Sequence, residues 1–166
     1  LSFVKNKHTF NIAKYYKQAF QNIPRLKDYD VVVWLDGTIE IIYDNVSKWI
    51  LENIDEKRII GWEHQWRHGS LYEETLDSTR NGRYTVTKFN NQSQPYQDVM
   101  SQYRQYMSNG YKEEFFSKER ELRPHMGVWI TCFVAFKNKC SQVTQFLNDW
   151  YLQTLKYTTQ DQIGFP

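Results

Sequence analysis

Apolar residues along the chain alternate between helical spacing and short continuous runs. Over residues 11–23 they recur every three or four positions and stop at Pro24, which predicts an amphipathic helix. The run at residues 31–35 is short, β-branched and uninterrupted, a pattern typical of a strand buried on both faces of a mostly parallel sheet. Asp36 and Gly37 follow at the carboxyl end of this predicted strand.

The same alternation continues to the end of the chain. Residues 58–62 and 127–136 predict two further strands. Further helices are predicted after a cap at Asp44 or Asn45, up to Asn81-Gly82, from Pro95 to Asn109-Gly110, and over residues 141–157. This order favours one α/β domain, residues 1–166, in which helices flank a mostly parallel central sheet. Ligands in such folds lie beyond the carboxyl ends of the strands, so Asp36, the Arg67 loop and Asp161 become candidates for one cleft.

Composition excludes more classes of protein than it selects. The chain has 166 residues, is 40% apolar and carries a formal net charge of +2, with acids and bases interleaved. A chain of this length and apolar content can form a hydrophobic core. Its charges form no basic patch in the sequence of the kind that binds nucleic acid or an anionic membrane. No apolar run approaches the roughly 20 residues of a membrane helix, and Cys132 and Cys140 form no disulfide framework. We therefore expect a soluble, cytoplasmic protein without a transmembrane segment.

The segment Asp36-Gly37-Thr38 admits two chemistries. In haloacid-dehalogenase-type phosphatases a nucleophilic Asp stands two residues before the second Asp, but here that position holds Trp34, which has no nucleophile. In metal-dependent nucleotide-sugar transferases an acid at a strand end holds Mn²⁺ or Mg²⁺ against the donor diphosphate. Asp36 suits that role, and on these residues alone it equally suits a turn before Gly37.

Six pieces of sequence, of which the first contains Asp36-Gly37-Thr38, occur in a fixed order. They are Trp34-Leu35-Asp36-Gly37-Thr38-Ile39, His64-Gln65-Trp66-Arg67, Tyr72-Glu73-Glu74, Tyr106 with Gly110-Tyr111, residues 127–136, and Gln160-Asp161-Gln162-Ile163-Gly164-Phe165. Their order resembles the glycosyltransferase-like family known as domain of unknown function 616, found in plants, bacteria and large viruses. A helix, a strand and then Leu-Asp-Gly also resembles GT-A glycosyltransferases. Thr38 departs from the usual second acid of an Asp-x-Asp pair, and Gln160 replaces the closing arginine of the family.

The resemblance implies a GT-A-like, Rossmann-like fold and a hexosyltransferase that depends on Mn²⁺ or Mg²⁺. Its donor would be a nucleotide-diphosphate sugar, with UDP-sugars favoured, and its acceptor a glycan or glycoprotein. Part of the amino-terminal nucleotide-binding segment is expected to precede Leu1. Large viruses carry enzymes of this general kind, which makes viral glycan synthesis in a host cytoplasm one expected setting.

The resemblance also assigns roles to individual residues. Asp36 is expected to bind the metal, with His125 as a further metal candidate, and Asp161 and Gln162 are the expected catalytic pair. Donor or acceptor contacts are expected from Arg67, His64, Glu73, Trp34 and Thr38. These roles have structural alternatives. Residues 161–162 would form a solvated turn, His64 would be a surface residue, Glu73 would stabilise the start of a helix, and the tryptophans would pack in the core. The rival function is a non-catalytic carbohydrate-binding domain of the same fold, which the missing second acid at Thr38 supports.

Overall fold

The computed structural model describes residues 9–67, 69–89, 91–113 and 127–165. Within these ranges the main sheet has three strands, with β5 (Trp129–Lys137) between β1 (Val31–Leu35) and β2 (Ile59–Glu63). β5 is antiparallel to both neighbours. A separate hairpin pairs β3 (Lys88–Phe89) with β4 (Gln92–Ser93).

The prediction of a mostly parallel, GT-A-like central sheet is therefore wrong. The register pairs Val32 with Phe136 and Ile60 with Ala135, each in the antiparallel sense. An apolar run without alternation reports burial on both faces of a strand, and the direction of its partner leaves no trace in that pattern. The central strand β5 has such burial, whereas β1 lies at the edge of the described sheet and Val33 is 39% exposed.

The described residues form five α-helices outside the sheet. They are α1 (Thr9–Gln18), α2 (Val46–Lys57), α3 (Leu71–Arg80), α4 (Val99–Ser108) and α5 (Ser141–Lys156), and two 3₁₀ helices follow α1 at Phe20–Asn22 and Pro24–Leu26. The Ser70 hydroxyl caps α3 by accepting from the Glu73 N–H, and the Asp98 carboxylate caps α4 by accepting from the Ser101 N–H. No helix in these ranges is both long enough and apolar enough to span a bilayer.

The core has a layer on each face of the sheet. On one face α5 and the segment after α1 pack against β5, through Phe20, Val134, Phe136, Leu147, Trp150 and Phe165. On the other face α2 packs against the sheet, through Ile50, Ile54, Ile60, Phe133 and Ala135. A third cluster joins α3 and α4 to the carboxyl-terminal segment, through Leu71, Val99, Val128 and Ile163.

Helix α1 buries a different side from the one its apolar spacing predicts. Ile12 and Tyr16 are 49% and 54% exposed, whereas Lys17 and Gln18 are fully buried. A lysine is rarely buried without a charge partner. The burial of Lys17 therefore directs attention to the carboxylates around it.

Candidate active site

The candidate site lies at the edge of the sheet where β1 and β2 end and β5 begins. The backbone N–H of Asp36 donates to Cys132 O at 2.8 Å, and that of His64 donates to Val128 O at 2.8 Å, so both residues extend the ladder of β5. Because β1 and β2 are each antiparallel to β5, they run in the same direction and end at the same edge. Asp36 and the Arg67 loop therefore follow strands that end at one edge, but Arg67 does not line the cavity that contains Asp36.

The Asp36 carboxylate opens into a cavity of about 310 Å³. Trp34 Nε1 donates to Asp36 Oδ1 at 2.6 Å, while Oδ2 makes no hydrogen bond to a described residue and the side chain is 44% exposed. The side chains around the cavity include Lys14, Trp34, Asp36, Thr38, Arg83 and Tyr84. The cavity thus combines one carboxylate and one hydroxyl from the Asp36–Thr38 turn with two cationic side chains.

Asp161 lies next to this cavity but is fully buried. Its carboxylate accepts hydrogen bonds from Lys14 Nζ at 2.5 Å and from Thr131 Oγ1 at 3.0 Å, and it forms a second ion pair with Lys17. Burial alone would raise the pKa of the Asp161 carboxyl, but the ammonium groups of Lys14 and Lys17 outweigh burial and hold that pKa well below its usual value. Asp161 is therefore an ionised anchor for two lysines.

Lys17 connects the two acids of the site. Its Nζ lies 3.9 Å from Asp36 Oδ1 as well as pairing with Asp161, and it stands over the rings of Trp34 and Trp150 at 5.6 and 5.7 Å. Burial lowers the pKa of Lys17, while the Asp161 charge opposes that shift. Two aromatic rings and two carboxylates thus stabilise a cation that water does not reach.

A second polar cluster surrounds the buried carboxylate of Glu74. Arg67 Nε donates to Glu74 Oε2 at 2.8 Å, Arg67 Nη2 pairs with Asp77, and His64 Nε2 lies 3.9 Å from Glu74 Oε2. Burial alone would lower the pKa of Arg67, but the hydrogen bond and the charge of Glu74 raise it overall. Arg67 is thus engaged by carboxylates of its own chain, and His64 lies beside the same acid.

Gln160 joins this cluster to the Asp36 cavity. Its Nε2 donates to Glu74 Oε1 and to Ser78 Oγ, both at 2.8 Å, and its Oε1 accepts from the Tyr84 hydroxyl at 3.2 Å. Burial raises the pKa of Tyr84 to about 12, so the phenol stays protonated and can donate to Gln160. The Gln160 side chain therefore has hydrogen-bond partners at both its amide nitrogen and its carbonyl oxygen.

The remaining predicted residues divide between the Asp36 cavity and other parts of the structure. Trp34 and Thr38 line the Asp36 cavity, whereas Glu73 is exposed at the start of α3. Gln162 is half-buried, and its Nε2 donates to the backbone carbonyl of Trp129 at 3.2 Å. His125 lies outside the described residues. The structure thus gathers Trp34, Asp36 and Thr38 at the cavity with Asp161 beside it, and it separates Gln162 and Glu73 from that group.

The pattern of apolar residues does not reveal the cationic residues at the cavity and behind it. Lys14 and Lys17 lie three residues apart on α1, a spacing that brings two side chains to the same side of a helix. That spacing is the signal in the sequence from which they could have been found. Arg83 and Tyr84 lie in an irregular segment after α3 and carry no comparable signal.

The donor groups of the cavity can be tested against a divalent cation. Among the described residues no three His, Cys, Asp or Glu side chains come together as a metal cluster. At the cavity, the expected motif offers two oxygen atoms as metal ligands, Asp36 Oδ2 and the Thr38 hydroxyl. Mg²⁺ is commonly held by one or two carboxylates, with substrate phosphates and water completing its shell. These residues therefore fit a divalent cation when a diphosphate supplies further oxygens.

Comparison with known proteins leaves function to be argued from these side chains. No family model, no curated protein and no solved structure matches the chain. A functional assignment therefore rests on the chemistry of the Asp36 cavity and of the polar network behind it.

Proposed function

We propose that this chain is a nucleotide-sugar-dependent hexosyltransferase that moves a hexose from a nucleotide-diphosphate donor, with UDP-sugars favoured, to a glycan or protein acceptor. One observation carries the proposal: Asp36 and Thr38 share a single cavity with the cationic side chains of Lys14 and Arg83. A diphosphate needs cationic and metal partners together, and this cavity offers candidates for both. Its volume of about 310 Å³ is at the lower end of small-molecule sites, which suits the diphosphate and sugar.

The transfer step breaks the bond between the anomeric carbon and the diphosphate oxygen. The acceptor oxygen bonds to that carbon, and its proton leaves with the nucleoside diphosphate. Negative charge grows on the departing diphosphate, so Lys14 and Arg83 would stabilise the transition state more than the bound donor. A bound Mn²⁺ or Mg²⁺ would add Lewis-acid neutralisation of the same group, with Asp36 and Thr38 as its protein ligands.

In this proposal Asp161 is a positioning residue. It is buried and already paired with Lys14 and Lys17, so its charge is directed at those lysines. Holding Lys14 at the cavity wall fixes a cation in place before the donor arrives. The same ion pair is a reason not to assign Asp161 the deprotonation of an acceptor.

The test is a thermal-shift and calorimetric titration with UDP-sugars in the presence and absence of Mn²⁺. A donor at about 100 times its Kd should stabilise the parent chain by about 2.7 kcal/mol. Asp36→Asn keeps an acceptor for Trp34 Nε1 but should lose the Mn²⁺-dependent part of the shift. Arg83→Gln should weaken donor binding about tenfold or more with or without Mn²⁺, because a hydrogen bond to a charged group is lost.

Arg80→Gln is the matched control, since Arg80 is exposed at the end of α3 and does not line the cavity. Release of nucleoside diphosphate in the presence of an added acceptor would report transfer of the hexose in the same samples. A folded parent chain that binds no UDP-sugar under either condition contradicts the proposal. If it bound glycans but no donor, the non-catalytic carbohydrate-binding alternative would be favoured.

A further inference from the structure

A second and larger concavity lies along the outer side of β2. Its volume is about 600 Å³, and it runs between α2 and the start of α5. The residues that matter for its chemistry are Trp49, Asn53, Glu56, Lys57, Trp62 and Gln142. We call it the β2 groove, and none of these side chains lines the Asp36 cavity.

Two stacked indoles form the apolar part of the β2 groove. The rings of Trp49 and Trp62 lie 5.6 Å apart with an interplanar angle of 8°, and the Trp62 ring is also 6.1 Å from Phe133. Although Trp49 covers one face of its indole, Trp62 remains 52% exposed. A rigid, exposed and supported aromatic ring is suited to packing against the C–H face of a pyranose.

Polar side chains with planar groups surround this platform. Asn53 Nδ2 donates to Trp49 O at 2.8 Å, while Asn53 Oδ1 makes no hydrogen bond to a described residue. Gln142 presents an exposed amide, and the charged residues of the groove balance, with Glu56 and Glu63 against Lys57 and Arg58. Amides and carboxylates satisfy the paired donors and acceptors of sugar hydroxyls, and the balanced charges favour a neutral ligand over a phosphate or an acidic sugar.

A strand from another chain is a less suitable occupant. β2 has only five residues, and its register shifts between Gly61 and Trp62. Such a bulge twists an edge strand and interrupts the regular row of backbone groups that an added strand would need. The stacked indoles, by contrast, present a surface that does not depend on a regular ladder.

We infer that the β2 groove binds a short neutral oligosaccharide, with Trp62 as its stacking platform and Gln142 as a hydrogen-bonding partner. This site goes beyond the donor cavity proposed above. It requires no transfer activity, and it would hold a glycan near the sheet whether or not that glycan is the acceptor.

The experiment measures binding of maltotriose, cellotriose, mannotriose and chitotriose to the full chain without donor or metal, by calorimetry and tryptophan fluorescence. At least one trisaccharide should bind the parent chain at millimolar concentration. Trp62→Ala should weaken that binding about tenfold or more, and Gln142→Ala about threefold to tenfold. Circular dichroism of each variant checks that it is folded.

Two matched variants separate this site from a general loss of aromatic or amide groups. Trp66→Ala removes a more exposed indole, at 69%, that lies outside the groove, and Gln145→Ala removes an exposed amide of the same helix. Both should bind the trisaccharide as the parent does. Gln142→Ala keeps the test decisive if Trp62→Ala does not fold.

Three results would overturn the inference. The first is that the parent chain binds none of the trisaccharides. The second is that Gln142→Ala, and Trp62→Ala if it folds, bind the trisaccharide as tightly as the parent. The third is that the parent forms a concentration-dependent dimer that Trp62→Ala abolishes. The last result would make the groove a contact between copies of the chain. Trisaccharide binding without any UDP-sugar binding would leave this inference standing and contradict only the proposed transferase.

Discussion

At the scale of single residues, the Thr131 hydroxyl stabilises the ionised Asp161 carboxylate by a hydrogen bond. Thr131 is buried in β5, and its Oγ1 donates to Asp161 Oδ2 at 3.0 Å. Hydrogen bonds to charged groups contribute more to stability than neutral ones. Thr154 is also buried, but its Oγ1 finds no hydrogen-bond partner among the described residues. Two buried threonines thus have opposite value for the folded state.

We therefore predict opposite effects of the same isosteric substitution at these two positions. Thr131→Val should lower the free energy of unfolding by about 1.5–3 kcal/mol, because a carboxylate loses a donor. Thr154→Val should be neutral or stabilising, since a buried hydroxyl without a partner is replaced by a methyl group. Urea denaturation of both variants measures the difference. Equal losses of stability would contradict the role given to Thr131.

The sequence pointed to Asp36 and Asp161 as candidate site residues, whereas its apolar pattern did not predict that Lys17 is buried beside them. Asp36 follows an apolar run directly, and Asp161 lies in the polar Gln160-Asp161-Gln162 stretch near the end of the sequence. Lys17 is assigned to the surface by any rule based on apolar spacing, because a charged residue is ordinarily exposed. Its burial depends on Asp161, which is distant along the chain, and on the rings of Trp34 and Trp150.

At the scale of secondary structure, strand positions were predictable while strand pairing was not. The prediction for residues 31–35 matches β1, and the predicted helix start near Asn45 matches α2. The direction of β5 was missed because both a parallel and an antiparallel central strand give a continuous apolar run when helices cover both faces. The short β3–β4 hairpin was missed as well, since two-residue strands have no measurable periodicity.

Gly61 shows how tightly β2 packs on β5. A Cβ added there would lie 2.7 Å from Trp129 Cε3 and 2.9 Å from Trp129 Cζ3. The register shift after Gly61 is thus accompanied by an indole packed directly on the backbone. A residue with a side chain at this position would displace Trp129 from its contact with Phe165, where the ring centroids are 5.1 Å apart.

We predict that Gly61→Ala lowers the free energy of unfolding by about 1–3 kcal/mol, the usual cost of overpacking. The matched control is Gly37→Ala, because a Cβ at Gly37 would meet no atom within 4 Å. That control should change stability by no more than about 0.5 kcal/mol. Thermal and urea unfolding measure both variants. A Gly61→Ala chain as stable as the Gly37→Ala chain would contradict the packing described for β2.

At the scale of the whole molecule, the net charge is small although charged side chains cluster around one cavity. The formal net charge is +2, yet Lys14, Lys17 and Arg83 lie at or beside one cavity around the Asp36 carboxylate. The segment that carries Asp161 is held in place by buried amides, with Gln102 Oε1 accepting from Thr158 Oγ1 at 2.6 Å. Helix α1, strand β1 and the carboxyl-terminal segment therefore meet through polar groups, and the stability of that junction should depend on charge.

The pH dependence of stability tests this junction. The pKa of Asp161 is depressed in the folded chain below its unfolded value of about 3.9, so its ionised carboxylate stabilises the fold above about pH 4. This contribution is lost as the pH falls through that value towards the folded-state pKa. At pH 7, Asp161→Asn should cost about 3–5 kcal/mol, because Lys14 and the buried Lys17 lose their charge partner.

Below about pH 4 the gap between parent and Asp161→Asn should begin to narrow, since Asp161 becomes protonated in the unfolded parent chain, which stabilises the unfolded state, while the folded carboxylate stays ionised. Asp30→Asn is the control, because the exposed Asp30–Lys139 pair at 3.0 Å should contribute less than about 1 kcal/mol at any pH. Urea denaturation from pH 3 to pH 7 measures all three chains. A gap for Asp161→Asn that stays constant over this range would mean that Asp161 does not act through its charge. In that case packing rather than charge would hold Lys14 and Lys17. The proposal that Asp161 positions Lys14 through an ion pair would then be wrong.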